Sequence, residues 1–251
     1  SRGKNEVELW RGGERIAMAF TLGGDPVDGA SLSFDGSRLL VWGKQKAVVF
    51  DTAASTPLRE LAPRSAFRQG HLCADGSRVA LIDGSYAIRS WETDSGTELA
   101  TLDSGVAQWK RLLFNRDGSR LVAMGTSNDL VLYDPVSGLP AGPPMRHLYM
   151  PTRLVSSGDG RRFASCGDDG RAIVWDADTG RMAVEAVWND TNLETSISLN
   201  RDGSRLLVFP PGLRSGEPSI AVWKPSMMRP PRLQRVSGAR DLFATSLSPD
   251  G

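Results

Sequence analysis

Ala164-Ser165-Cys166-Gly167-Asp168-Asp169-Gly170-Arg171-Ala172-Ile173-Val174-Trp175-Asp176 reads as strand, turn, strand. Small and apolar residues lead into an Asp-Asp-Gly turn, and a β-rich run then closes on an aromatic. Glycine takes the positive φ that a tight turn demands, and Asp bonds its own local backbone, so the stretch is a hairpin. Upstream, Asp159-Gly160 marks an earlier reversal, and downstream Asp178-Thr179-Gly180 introduces one more short strand. The unit holds four strands.

This unit recurs along the chain. Asp-Gly appears at 35–36, 75–76, 117–118, 159–160, 202–203 and 250–251, with spacings of 40, 42, 42, 43 and 48. An aromatic recurs in step, at Trp10, Phe50, Trp91, Tyr133, Trp175 and Trp223. A period in this range, with four strands per unit, is that of propeller blades, in which each small sheet buries its faces only against its neighbours. The expected fold is all-β: a β-propeller of four-stranded antiparallel blades, with five complete repeats plus two partial ones, from a ring expected to have seven. Residues 1–251 are expected to form one propeller segment of a longer protein. No run of 11 or more residues keeps helical apolar spacing without Gly or Pro, which argues against a helical solenoid.

The units resemble WD40 repeats, most clearly over 164–176 and in the turn Ser248-Pro249-Asp250-Gly251. The resemblance implies a buried hydrogen-bond network of a His before the first strand, a Ser or Thr in the second, an Asp in the next turn and the Trp of the third. One unit supplies all four, as His147, Ser165, Asp169 and Trp175. In the other units the His position holds Gly23, Pro63, Gly105, Asp190 or Gly238, so those blades are expected to be held by packing or by other groups. His147, Ser165 and Asp169 also compose, on paper, a hydrolase-like triad. Ser165 sits in a central strand, however, and no Gly-x-Ser-x-Gly elbow occurs, so the structural role is the expectation.

Bulk properties exclude several classes. Lys+Arg at 30 and Asp+Glu at 29 leave a net charge of +1, which provides no overall field for a polyanion or an anionic membrane. Five of the cations are Lys and the rest are Arg, scattered singly. Cys73 and Cys166 lie in different repeats and imply no disulfide framework. No apolar window approaches the ~20 residues that cross a bilayer. His71, Cys73, His147 and Cys166 lack metal-ligand spacing, and Gly12-Gly13 and Gly23-Gly24 lack the Lys-Ser or Lys-Thr of a phosphate loop. The expectation is no metal, no cofactor, no nucleic acid and no membrane insertion. A cytoplasmic setting is expected.

Function is then expected from loops. Those entering the first strands and those joining second to third strands should share one face, carrying Arg68, Trp109, Lys110, Tyr149, Met150, Trp188, Asp190 and Asn192. Trp109 and Trp188 fall outside the aromatic ladder and are candidate anchors for a protein or peptide partner. The ladder aromatics themselves are expected in the core. In the fifth unit five extra residues lengthen the second-to-third loop, within 210–219. The resemblance implies a non-catalytic interaction scaffold, with a signalling domain fused outside the segment. The rival is a propeller hydrolase or oxidoreductase, which would need His71, Asp83, Asp129 and Asp190 to converge.

Overall fold

The five described Asp-Gly turns that join first to second strands close through the same set of bonds. In the computed structural model, which describes residues 5–11, 13–15, 19–61, 65–102, 108–187, 196–209, 219–223 and 234–235, the glycine amide donates to the carbonyl two residues before the Asp. The pairs are Gly36–Ser33, Gly76–Cys73, Gly118–Asn115, Gly160–Ser157 and Gly203–Asn200, at 2.9–3.3 Å. The Asp carboxylate accepts the amide two residues on, from Ser37, Ser77, Ser119, Arg161 and Ser204. The next amide, always that of an Arg, donates back to the side chain of Ser33, Cys73, Asn115, Ser157 or Asn200. These glycines have φ between +65° and +74°, where a Cβ would be strained. Bonds from the Ser33 hydroxyl and the Ser37 amide hold the Asp35 carboxyl below the usual range; those from Ser119 do the same for Asp117.

With their turns fixed, the strands fall into sequential antiparallel sheets. Near the N-terminus β1 (Glu6–Val7) and β4 (Phe20–Thr21) pair around the hairpin of β2 (Trp10–Arg11) and β3 (Glu14–Arg15). A first four-stranded sheet comprises β5 (Val27–Leu32), β6 (Arg38–Gly43), β7 (Ala47–Asp51) and β8 (Thr56–Leu61). A second comprises β9 (Phe67–Leu72), β10 (Arg78–Asp83), β11 (Ile88–Glu92) and β12 (Glu98–Leu102). The third is formed by β13 (Arg111–Phe114), β14 (Leu121–Met124), β15 (Asp129–Tyr133) and β16 (Met145–Arg146). A fourth contains β17 (Pro151–Ser156), β18 (Arg162–Gly167), β19 (Arg171–Asp176) and β20 (Met182–Val187). The fifth has β21 (Ser196–Leu199), β22 (Leu206–Phe209), β23 (Ser219–Trp223) and β24 (Gln234–Arg235). The turn at 250–251 and residues 210–218 of the lengthened loop lie outside the described residues.

The chain divides into two compact units, Ser1–Ala123 with Tyr133–Pro140, and Met124–Leu132 with Ala141–Gly251. In the first unit, alternation along β6 and β7 sends Leu40, Trp42, Ala47 and Val49 towards Phe67, Leu72, Val79 and Leu81 of the second sheet. The opposite set, Leu39, Val41, Val48 and Phe50, packs on Phe20 and Leu22. Both faces are covered, which is why β6 reads as a nearly unbroken apolar run. In the second unit Ala164, Cys166, Ala172 and Val174 meet Ile197, Leu199, Leu206 and Val208.

Neighbouring turns are also tied by arginine. Arg38 Nη1 donates to the Gly76 carbonyl at 3.0 Å, Arg78 to Gly118 at 2.7 Å and Arg162 to Gly203 at 2.8 Å. In these three turns the residue that ends the turn therefore reaches the next one. A charged donor on a partly buried carbonyl contributes about 1.5–3 kcal/mol. Arg162→Ala should lower the unfolding free energy by about that amount, measured by urea titration, whereas Arg181→Ala in the exposed turn after β19 should change it by less than about 0.5 kcal/mol.

Candidate functional site: a braced loop

The segment between β16 and β17 is held from beneath by a buried chain of hydrogen bonds. His147 Nδ1 lies 2.9 Å from Asp169 Oδ2, and its Nε2 lies 2.8 Å from Ser165 Oγ. Trp175 Nε1 donates to the same Ser165 Oγ at 2.8 Å. One proton arrangement satisfies every member: Nδ1–H donates to Asp169, and Ser165 accepts from Trp175 while donating to Nε2. Burial pushes the His147 pKa down, against the opposing pull of Asp169, so the imidazole stays neutral. Ser165 is fully buried, with its hydroxyl committed on both sides.

The network also fixes the surface above it. Asp169 Oδ2 accepts the Leu148 amide at 2.9 Å, and Oδ1 accepts that of Arg171 at 3.1 Å. The Asn128 carbonyl accepts the His147 amide, while the Asn128 side chain donates to the Leu148 carbonyl at 3.2 Å. Backbone so constrained presents Leu148 and Tyr149 with 60% and 63% of their surface exposed, beside the half-buried Met150. Leu148 has no signature in the repeat; its place beside the His of a complete network is the one cue to it.

The same stitch, from entry segment to second–third turn, occurs elsewhere with different chemistry. Gln45 N donates to Asp25 Oδ2 at 2.8 Å, and Gly84 N to Ser65 Oγ at 3.0 Å. Entry segments and second–third turns thus meet within these sheets. Arg68 is exposed and lies over the Tyr86 ring at 4.2 Å, and Lys110 is exposed. Trp188, Asp190 and Asn192 lie outside the described residues.

Trp109 corrects the expected surface. It is 2% exposed, and its ring packs edge-on against Tyr133 at 6.0 Å and 88°. Eight residues before its Asp-Gly turn, it occupies the register of Phe67, which packs edge-on against Trp91 at 6.3 Å and 89°. In these two sheets, which lack the His, an aromatic entering the first strand fills the space over the third-strand aromatic. The indole N–H has no described partner, so packing outweighs one unsatisfied donor. Trp10 is a second correction, since this ladder aromatic is 59% exposed. It sits on the two-residue strand β2, whose paired strand β3 is itself exposed.

The three described residues of the enzymatic alternative have local partners. Asp83 is buried, bonding Ser85 N, Ala87 N and Arg89 Nε. Asp129 pairs with Arg146 at 3.7 Å. The His71 ring accepts the Phe114 amide at 3.4 Å, and desolvation pushes its pKa down to about 4. Neither cysteine is in a disulfide, and burial pushes the Cys73 thiol up to about 11 and that of Cys166 to about 12.

Compared with solved structures, the chain is similar to the crystal structure of the Myceliophteria thermophila Cps50 (Swd1) beta-propeller domain. The TM-score is 0.66 at 13% identity, covering 89% of this chain and 77% of that one. The fold is a β-propeller. No protein-family model matches the chain, and no curated protein matches it in sequence. At that identity the propeller likeness shows architecture, and function must be argued from the site itself.

Two outcomes follow for stability. Trp109→Ala should cost about 3–5 kcal/mol in denaturant titration, as for a large buried aromatic. His71 resists protonation when folded but takes a proton near pH 6.5 when unfolded, so the unfolded state becomes the better proton binder in acid. Its share of stability is present above pH 6.5 and declines as pH falls towards 4. His71→Gln, which keeps an acceptor for Phe114, should flatten that part of the pH–stability curve.

Proposed function

We propose that this propeller is a non-catalytic interaction scaffold of the WD40 kind, which holds a protein or peptide partner on the face carrying the first-strand entry loops. The observation that carries the reading is the braced exposure of Leu148 and Tyr149. Two large side chains stand in solvent on backbone fixed by Asp169 and Asn128. Rigid presentation lowers the ordering cost of binding, and a Tyr beside an apolar neighbour is a common anchor at protein interfaces. The buried, doubly committed hydroxyl of Ser165 favours a structural role for the His147 network over a nucleophilic one. In a larger signalling protein such a module would serve as its sensing or docking part.

The test is the affinity of a partner captured by the full chain. Tyr149→Ala and Leu148→Ser should each weaken binding at least tenfold, with thermal stability unchanged to within a few degrees. Met182→Ser, at an exposed position on β20, should leave binding intact. Equal affinity across all three variants would overturn the reading, as would substrate turnover lost with Ser165→Ala.

A further inference from the structure

In the first unit a different chemistry is displayed. Tyr86 has φ +65°, and it stands five residues before Trp91, as Gly170 with φ +66° stands five before Trp175. The left-handed conformation suits glycine and is disfavoured for an aromatic. It is imposed by the turn: Asp83 accepts the amides of Ser85 and Ala87, its carbonyl accepts that of Tyr86, and the buried Arg89 neutralises it. The strained turn places the Tyr86 ring against the guanidinium of Arg68, 4.2 Å from the ring centroid. Stacking of this kind orients the planar fork and leaves its N–H edge open. Among the described residues no carboxylate pairs with Arg68, which is exposed.

More positive charge stands alongside. Gln69 Oε1, next to Arg68, accepts the Leu112 amide at 2.9 Å, which brings β9 and the start of β13 together. Lys110 and Arg111, both exposed, precede that bond. Neither 65–72 nor 108–114 contains an Asp or Glu. Three exposed cations therefore flank one inter-strand bond with no acidic residue in either stretch, in a chain whose overall charge is only +1.

We infer that Arg68, stacked on Tyr86 and flanked by Lys110 and Arg111, is a docking point for an acidic segment of a partner protein, whose side-chain carboxylates take the open edge of the guanidinium. This rests on the scaffold reading only in supposing a protein partner. The stacked fork fits a carboxylate bidentately, and the flanking cations favour more than one acidic residue.

The experiment is fluorescence anisotropy of the full chain with a labelled Glu-rich peptide, its Gln-substituted analogue, a phosphoserine peptide of equal charge and a single-stranded oligonucleotide. The Glu peptide should bind at least tenfold more tightly than the Gln analogue, and more tightly than the other two probes. Arg68→Gln should reduce its affinity about tenfold. Arg68→Lys should also weaken it, since charge without the planar stacked fork is retained. Tyr86→Gly relieves the backbone and should fold at least as well while binding the peptide less tightly. Equal binding of the Glu and Gln peptides would overturn the inference, as would unchanged affinity in Arg68→Gln or stronger binding of either phosphate-bearing probe. Loss of capture in Tyr149→Ala alongside such a failure would leave the scaffold reading standing.

Discussion

A hydrogen-bonded loop of six residues recurs through the chain, and the sheets depend on it. An acceptor side chain two residues before the Asp takes the amide of the Arg three residues after it, while the Asp takes the amide between. The reversal is thereby fixed in register, and register decides which alternate residues face which neighbouring sheet. A slip of one residue along β6 would exchange Leu40 and Trp42 for Leu39 and Val41 at the contact with the second sheet. At Arg38, Arg78 and Arg162 the Arg that closes the turn then extends to the glycine carbonyl of the next. Local geometry and sheet-to-sheet attachment share the same few residues.

The braced loop uses a related economy. Asp169 serves the core through His147 and the surface through the Leu148 amide, with one carboxylate oxygen accepting both. Elsewhere the corresponding stitch passes through Asp25 or Ser65 and has no buried imidazole beneath it. The first unit instead fills that space with aromatic edges, and its display is charged.

What could be read in advance follows from how local each constraint is. The Asp-Gly turns are satisfied within six residues, so their period declares the repeat. The four members of the His147 network are distinctive types at fixed offsets, and the structure brings all four together. Trp109 was not readable as core because its partner Tyr133 lies 24 residues away. Comparison with Phe67, eight residues before its own turn, was the available signal. Trp10 misleads for the opposite reason, since it keeps the ladder's spacing but lies on a two-residue strand with little to cover it. Tyr86 contradicts the rule that left-handed turns carry glycine, so only its backbone angle reveals the pairing with Arg68.

Cys73 shows how little the turn requires of its chemistry. Its sulfur occupies the place held by Ser33, Asn115, Ser157 and Asn200, accepting the Arg78 amide at 3.0 Å and bonding Asp75 at 2.9 Å. Hydroxyl, thiol and amide are interchangeable there because the backbone asks only for a compact acceptor. A scaffold so specified can drift through most of its sequence while its architecture stays put, its identity carried by glycine angles and acceptor positions rather than by any fixed string of letters.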